Sequence, residues 1–134
     1  MMKEGINIPE EEISRRLSNV RRKMAEKDIE VLVVFSAPGS LRFGQRGHVL
    51  YLSGYEPYFG DCMMILPLDS KLEPVLEIDS ADYFPEGCTW VKNQVRAGSH
   101  IDVIKAYLSD NSLKLSKIGV AGEYSVSPLF FQRM

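Results

Sequence analysis

The residue types in this 134-residue chain that could do chemistry are few, and the best gathered are acids. Glu77, Asp79 and Asp82 follow one apolar run, and Asp61 stands just before another. Carboxylates at the end of a strand can hold Mg²⁺ for phosphoester hydrolysis, a site that needs several oxygens converging on ions roughly 4 Å apart. Glu77 and Asp79 share a strand face only if the strand continues through Asp79, and Asp82 then lies beyond it. Acids in such places also serve as turn formers and caps, which is the plainer expectation. The histidines are His48 and His100. Neither has a Glu or a second His at helical metal spacing, so no zinc or dinuclear site can be assembled around them. His100 reads as a surface residue of a helix. His48 sits beside an aromatic segment and stays a candidate polar contact. No serine occupies GxSxG, and the context for a Ser/His/Asp triad is missing. Cys62 and Cys88 have neither CxxC nor Cys/His spacing and read as reduced, buried thiols. The stretch 36–47 carries Gly39, Gly44 and Gly47 with Arg42 and Arg46, but it matches neither GxGxxG nor GxxxxGK[ST] and reads as a surface loop.

Aromatic residues supply a second cluster. Tyr51, Tyr55, Tyr58 and Phe59 fall within nine positions. Tyr51 belongs to an apolar run; the other three follow Gly54 in a loop that holds Pro57 and ends at Gly60-Asp61. Loop aromatics either plug a core or turn one face to a partner or ligand, and the residues alone leave both readings open.

These residues must be positioned by regular elements. Ile13, Leu17, Val20 and Met24 recur at spacings of four, three and four, which predicts an amphipathic helix over 9–27. Pro9 suits its first turn, and Glu10, Glu11 and Glu12 sit at the positive end of its dipole, with the basic residues following on solvated faces. The run Val-Leu-Val-Val-Phe at 31–35 is apolar on both faces, as a central strand covered by helices on both sides must be, and this places the chain in the α/β class. A strand over 49–52 and a hairpin of 62–66 with 73–78 would complete a three-strand meander. Pro74 cannot donate to a ladder, so its strand begins there or lies at an edge. A short helical turn over 79–84 and a strand over 89–95 come next. Ser99 is an N-cap for a helix over 100–109 with Ile101, Ile104 or Val103, Tyr107 and Leu108 inward. A buried strand is expected over 117–121. Ser127-Pro128 should open a further helix, and its stop at Met134 suggests a chain cut at a chosen boundary.

Composition bounds the class. With 45% hydrophobic residues the chain makes one domain and buries roughly two-thirds of its unfolded surface. A net charge of −2 and a pI near 5.7 argue against nucleic acid as a partner. The N-terminus lacks a signal-peptide apolar region, and no apolar run approaches the ~20 residues that cross a bilayer, so the expectation is a cytoplasmic protein that meets no membrane.

The order of these features resembles the N-terminal domain of the creatinase/prolidase family. The residues that carry the likeness are Arg16-Leu17 in the opening helix, the strand 29–35, and His-Val-Leu-Tyr-Leu-Ser-Gly-Tyr at 48–55, followed by a hairpin. Tyr51 to Tyr55 fits that family's Tyr-Leu-Ser/Thr-Gly-aromatic element, and Tyr58-Phe59-Gly60 looks like the segment after it in creatinase-type members. The resemblance covers nearly the whole chain through short, hydrophobic motifs. It implies a three-layer mixed sheet with helices on both faces, of ribonuclease H-like topology. Residues 1–134 would be the non-catalytic part of a metal-dependent Xaa-Pro dipeptidase or aminopeptidase. The catalytic C-terminal domain, with its pair of divalent metals (Mn, Co or Zn), would lie outside this chain, which itself would hold no cofactor. The implied partners are a second copy in a homodimer, the chain's own and the partner's catalytic domains, and a proline-containing peptide. The domain would assemble the dimer and cover the partner subunit's active site. Tyr58 and Phe59 would be its walls, with Tyr55 a candidate of the same surface and His48 and Asp61 as polar contacts. Creatinase-type members can carry Arg after the Phe-Gly, which suits an anionic group; Asp61 stands here instead and better suits a cationic amino terminus.

Two other readings compete. One is a stand-alone Mg²⁺-dependent phosphoester hydrolase built on Glu77, Asp79 and Asp82. The other is a free-standing interaction module of the same fold.

Overall fold

Helix α1 (Glu10–Glu26) is followed by strand β1 (Val31–Ser36), helix α2 (Gly47–Ser53), strands β2 (Cys62–Pro67), β3 (Val75–Glu77) and β4 (Asn93–Val95), helix α3 (His100–Asp110), a 3-10 turn (Leu115–Lys117) and strand β5 (Ile118–Ala121). The computed structural model describes residues 8–36, 47–57, 60–79, 82, 89–96 and 99–122. Five strands form one sheet in the order β4-β3-β2-β1-β5. β2 runs antiparallel to both neighbours, while β5 is parallel to β1 and β4 parallel to β3. So β2 alone runs against the other four.

Alternation along the strands sorts the core into two layers. Val34, Cys62, Met64, Leu66 and Leu76 point to one face, where they meet Met24 of α1 with Val49 and Leu52 of α2. Val31, Val33, Phe35, Met63, Ile65 and Val75 point to the other, against Ile104, Tyr107 and Leu108 of α3. Every residue of β2 is buried, as a central strand covered on both sides requires. Each fully buried aliphatic side chain there contributes about 1.5–3 kcal/mol over its exposed state. The result is the three-layer α/β architecture expected, with a β1-β2-β3 meander and a parallel strand beside β1, consistent with a ribonuclease H-like domain.

The local signals explain most boundaries. Pro9 caps α1 with extended backbone, and its carbonyl accepts the Ile13 N–H at 3.1 Å. Asp28 ends the helix in the left-handed region at φ 57°, where a short polar residue is tolerated, and the Ile29 N–H reaches back to the Met24 carbonyl at 2.9 Å. Ser99 caps α3, its Oγ accepting from the Asp102 N–H at 3.4 Å. β3 starts one residue after Pro74, as that proline demanded, though the strand is internal, between β2 and β4.

Four expectations are corrected. Residues 49–52 are helix, not strand: Val49, Leu52 and Ser53 are buried while Tyr51 stays 45% exposed, which is helical spacing. Ser53 Oγ donates to the Val49 carbonyl at 2.6 Å, one helical turn back, and Gly54 leaves the helix at φ 80°. The carbonyls at the end of α2 are taken from afar, Leu52 by the Trp90 indole N–H at 2.7 Å and Ser53 by the Thr89 hydroxyl. The third strand of the meander is therefore β1. Secondly, β4 pairs only from Asn93, later than the Thr89 expected. Thirdly, β5 is a half-buried edge strand, not a buried one. The fourth correction, at His100, belongs to the site below. Of the turn expected over 79–84, the Asp82 N–H bonded to the Asp79 carbonyl at 3.0 Å is seen. Residues 37–46 of the loop expected over 36–47, Cys88, and the helix expected after Ser127 lie outside the described residues.

Candidate functional site

The C-terminal ends of β1, β3 and β4 and the first residue of β2 come to the same edge of the sheet, and α3 begins there. In an open α/β sheet this edge is where ligands are bound. The acids singled out in the sequence are gathered at it. Glu77 is the last residue of β3. Strand parity puts it with Val75 on the α3 side, where it is only 4% exposed. There its Oε1 lies 2.8 Å from Nδ1 of His100, the first residue of α3. The Phe35 ring meets the imidazole edge-on, with centroids 5.6 Å apart at 62°.

His100 is thus corrected from a surface residue to the partner of a buried carboxylate. Burial alone would lower its pKa. The hydrogen bond and charge of Glu77 outweigh that, with the charges of Asp61 and Asp79 adding to them, and the pKa is raised above the ordinary histidine value. Glu77 and His100 are 23 positions apart in the sequence, so only the pairing of β3 with its neighbours brings them together.

The remaining acids fix the chain around this pair. Asp79 packs its side chain onto Gly60 so closely that a Cβ at Gly60 would fall on the Asp79 carboxyl group. Asp82, 3% exposed, accepts the Gly60 N–H at 3.2 Å. Arg96, just past β4, holds the turn from the other side, donating to the carbonyls of Asp79 at 3.0 Å and Asp82 at 2.8 Å. Beneath them the Cys62 thiol is wholly buried. Burial, then the charges of Asp82, Asp61 and Glu77, push its pKa well up, so it is an inert core thiol and not a nucleophile.

The candidate residues of the aromatic stretch divide. Tyr55 is 2% exposed, inside the core layer under α1 and α2, with its backbone N–H donated to Ser53 Oγ at 3.1 Å; it plugs the core. Asp61 is exposed at the end of the loop, and its charge reaches His100. His48 is exposed in the first turn of α2, beside Gly122 at the end of β5. Tyr58 and Phe59 lie outside the described residues.

Among the described residues, no group of three or more His, Cys, Asp and Glu side chains is placed to hold a metal ion. Glu77, Asp79 and Asp82 therefore do not make the metal-holding group that the phosphoester reading needs. One faces His100, one is spread on Gly60, and one accepts the Gly60 N–H. Nor is any helix among the described residues long and apolar enough to cross a membrane.

The carboxyl edge of a five-stranded mixed sheet between two helical layers thus gathers acids and a partly buried histidine. No family model matches the chain, and no curated protein matches it. Among solved structures the chain is similar to an Xaa-Pro aminopeptidase from Streptococcus pyogenes, at 20% identity and a TM-score of 0.65, over 94% of this chain and 84% of that one. At that identity the likeness establishes a shared fold.

Proposed function

We propose that this chain is the non-catalytic N-terminal domain of a metal-dependent Xaa-Pro dipeptidase or aminopeptidase. The observation that carries the reading is the likeness of fold, over nearly the whole chain, to a chain of an Xaa-Pro aminopeptidase. The chain's motifs, Tyr-Leu-Ser-Gly-Tyr above all, support the same family. In this reading a catalytic domain carrying the divalent metal pair belongs to the parent protein, and the present domain assembles a homodimer and covers the partner subunit's active site.

The loop 55–61 is the working surface of that role. Tyr55 anchors it in the core, Asp61 stands at its exposed end, and Tyr58 and Phe59 are the proposed walls between them. A carboxylate at Asp61 suits the cationic amino terminus of a peptide. His48, exposed at the start of α2, is the further polar contact. The acids of the sheet edge that are described contact Gly60 and His100 and, among the described residues, form no metal-holding group, which disfavours the phosphoester reading.

The test is direct. Purified residues 1–134 with Mn²⁺ and a Xaa-Pro dipeptide should release no product; detectable Mn²⁺-dependent cleavage by this chain alone would overturn the assignment.

A further inference from the structure

His100 stands at the centre of an acidic edge, and what surrounds it is the seat of Gly60. Among the described residues, the ionisable groups that reach this place come from each element packed there. They are Asp61 and Cys62 at the start of β2, Glu77, Asp79 and Asp82 at and after the end of β3, Arg96 after β4, and Asp102 on α3 itself. Arg96 is directed to backbone carbonyls, and Asp102 is exposed in the first turn of the helix. One oxygen of the buried Glu77 carboxylate lies 2.8 Å from His100 Nδ1, and its second oxygen, also buried, finds no hydrogen-bond partner among the described residues.

We propose that the Glu77–His100 pair is a pH-dependent latch that fastens the end of the 55–61 loop to the start of α3. The connection is short. Glu77 stands two residues before Asp79, whose side chain lies on Gly60, and Asp82 of the same turn accepts the Gly60 N–H. With the imidazole protonated, one positive charge offsets Glu77 and the nearby charges of Asp61 and Asp79, and the turn closes on Gly60. A neutral imidazole can still donate from Nδ1, but it no longer offsets a buried carboxylate and its acidic neighbours. Their mutual repulsion then loosens the turn and, with it, Gly60 and Asp61.

The direction of the effect follows from the raised pKa of His100. A group that binds its proton more tightly when folded contributes stability that is complete below the unfolded value of about 6.5 and is lost as pH rises through the higher folded value. The latch is therefore closed in mildly acidic solution and opens toward alkaline pH. It is a property of this chain and stands independently of which active site the loop faces.

The experiment is an NMR titration of residues 1–134 between about pH 5.5 and 8.5, spanning the ordinary histidine value. The imidazole signals of His100 and the backbone amides of Gly60 and Asp61 are followed together, with His48 as the second histidine in the spectrum. The His100 midpoint should lie above about 6.5, the ordinary value, and the Gly60 and Asp61 amides should shift along the same curve. In Glu77→Gln that midpoint should fall to or below the ordinary value. In His100→Gln the amide shifts should vanish from this pH window. A wild-type midpoint at or below the ordinary value refutes the latch, as do Gly60 and Asp61 amides indifferent to the His100 curve. Should Glu77→Gln fail to fold, the wild-type curves and His100→Gln decide alone.

Discussion

Replacing Tyr55 with alanine separates scaffold from working surface in the aromatic stretch. Tyr55 is 2% exposed and shares its core layer with Val49, Leu52, Met64 and Leu76. Truncating a fully buried aromatic ring to a methyl group costs about 3–5 kcal/mol, part lost transfer energy and part residual cavity. An unfolding entropy of about 2.1 cal/mol/K per residue gives roughly 0.28 kcal/mol/K for a chain of this length, so the melting midpoint should drop by about 10–18 °C. Urea unfolding of residues 1–134 measures the loss directly, and the slope m should stay unchanged, since the surface exposed on unfolding does not alter. Asp61→Asn is the control. Asp61 is exposed, and its replacement should move stability by no more than about 0.5 kcal/mol. In the full-length peptidase proposed above the order of effects should reverse once folding is accounted for, with Asp61→Asn raising KM for peptides that carry a free amino terminus. A loss below about 1 kcal/mol in Tyr55→Ala would show the ring to be dispensable to the core and refute the division.

Two further substitutions test how the edge is built. Ser99→Ala removes the cap of α3; because the Oγ to Asp102 N–H bond is long at 3.4 Å, the loss should fall at or below about 1 kcal/mol, read as a midpoint lower by roughly 3 °C in thermal unfolding. Gly122→Ala asks for more. Gly122 sits at φ 77°, and an added Cβ would fall on the Phe35 carbonyl oxygen, a backbone atom that cannot turn aside. The left-handed conformation alone costs about 1–2 kcal/mol, so the total should exceed 2 kcal/mol in the same measurement.

Where the sequence was legible, one residue type at one spacing sufficed. Ile13, Leu17, Val20 and Met24 fix α1, the run at 31–35 fixes a two-faced strand, Pro74 fixes the start of β3, and Ser99 fixes the start of α3. The helix α2 was not legible for a specific reason. A four-residue apolar run such as 49–52 satisfies periods of 2 and of 3.6 nearly as well. What settles it is remote. Ser36 Oγ accepts the Val49 N–H at 3.1 Å from 13 residues away, and Trp90 closes the helix end from 38 residues away. Local pattern cannot weigh partners that only the folded sheet supplies.

The same argument explains why the acids were visible and the histidine was not. Glu77, Asp79, Asp82 and Asp61 stand out as a cluster in one dimension, which offers a metal as a competing reading beside the plainer one of turn formers and caps. The histidine that answers Glu77 sits at the start of a helix and looks solvated in its own neighbourhood. A usable signal was nonetheless present. Val75 and Glu77 share strand parity, and Val75 points to the layer that α3 covers. A carboxylate on that face would be buried, and a buried carboxylate needs a cation or a donor. His100, the first residue of the helix that covers the face, is such a partner. Parity applied to the polar residues of a strand, and not only to its apolar ones, leads from the acid cluster to the imidazole and away from a metal.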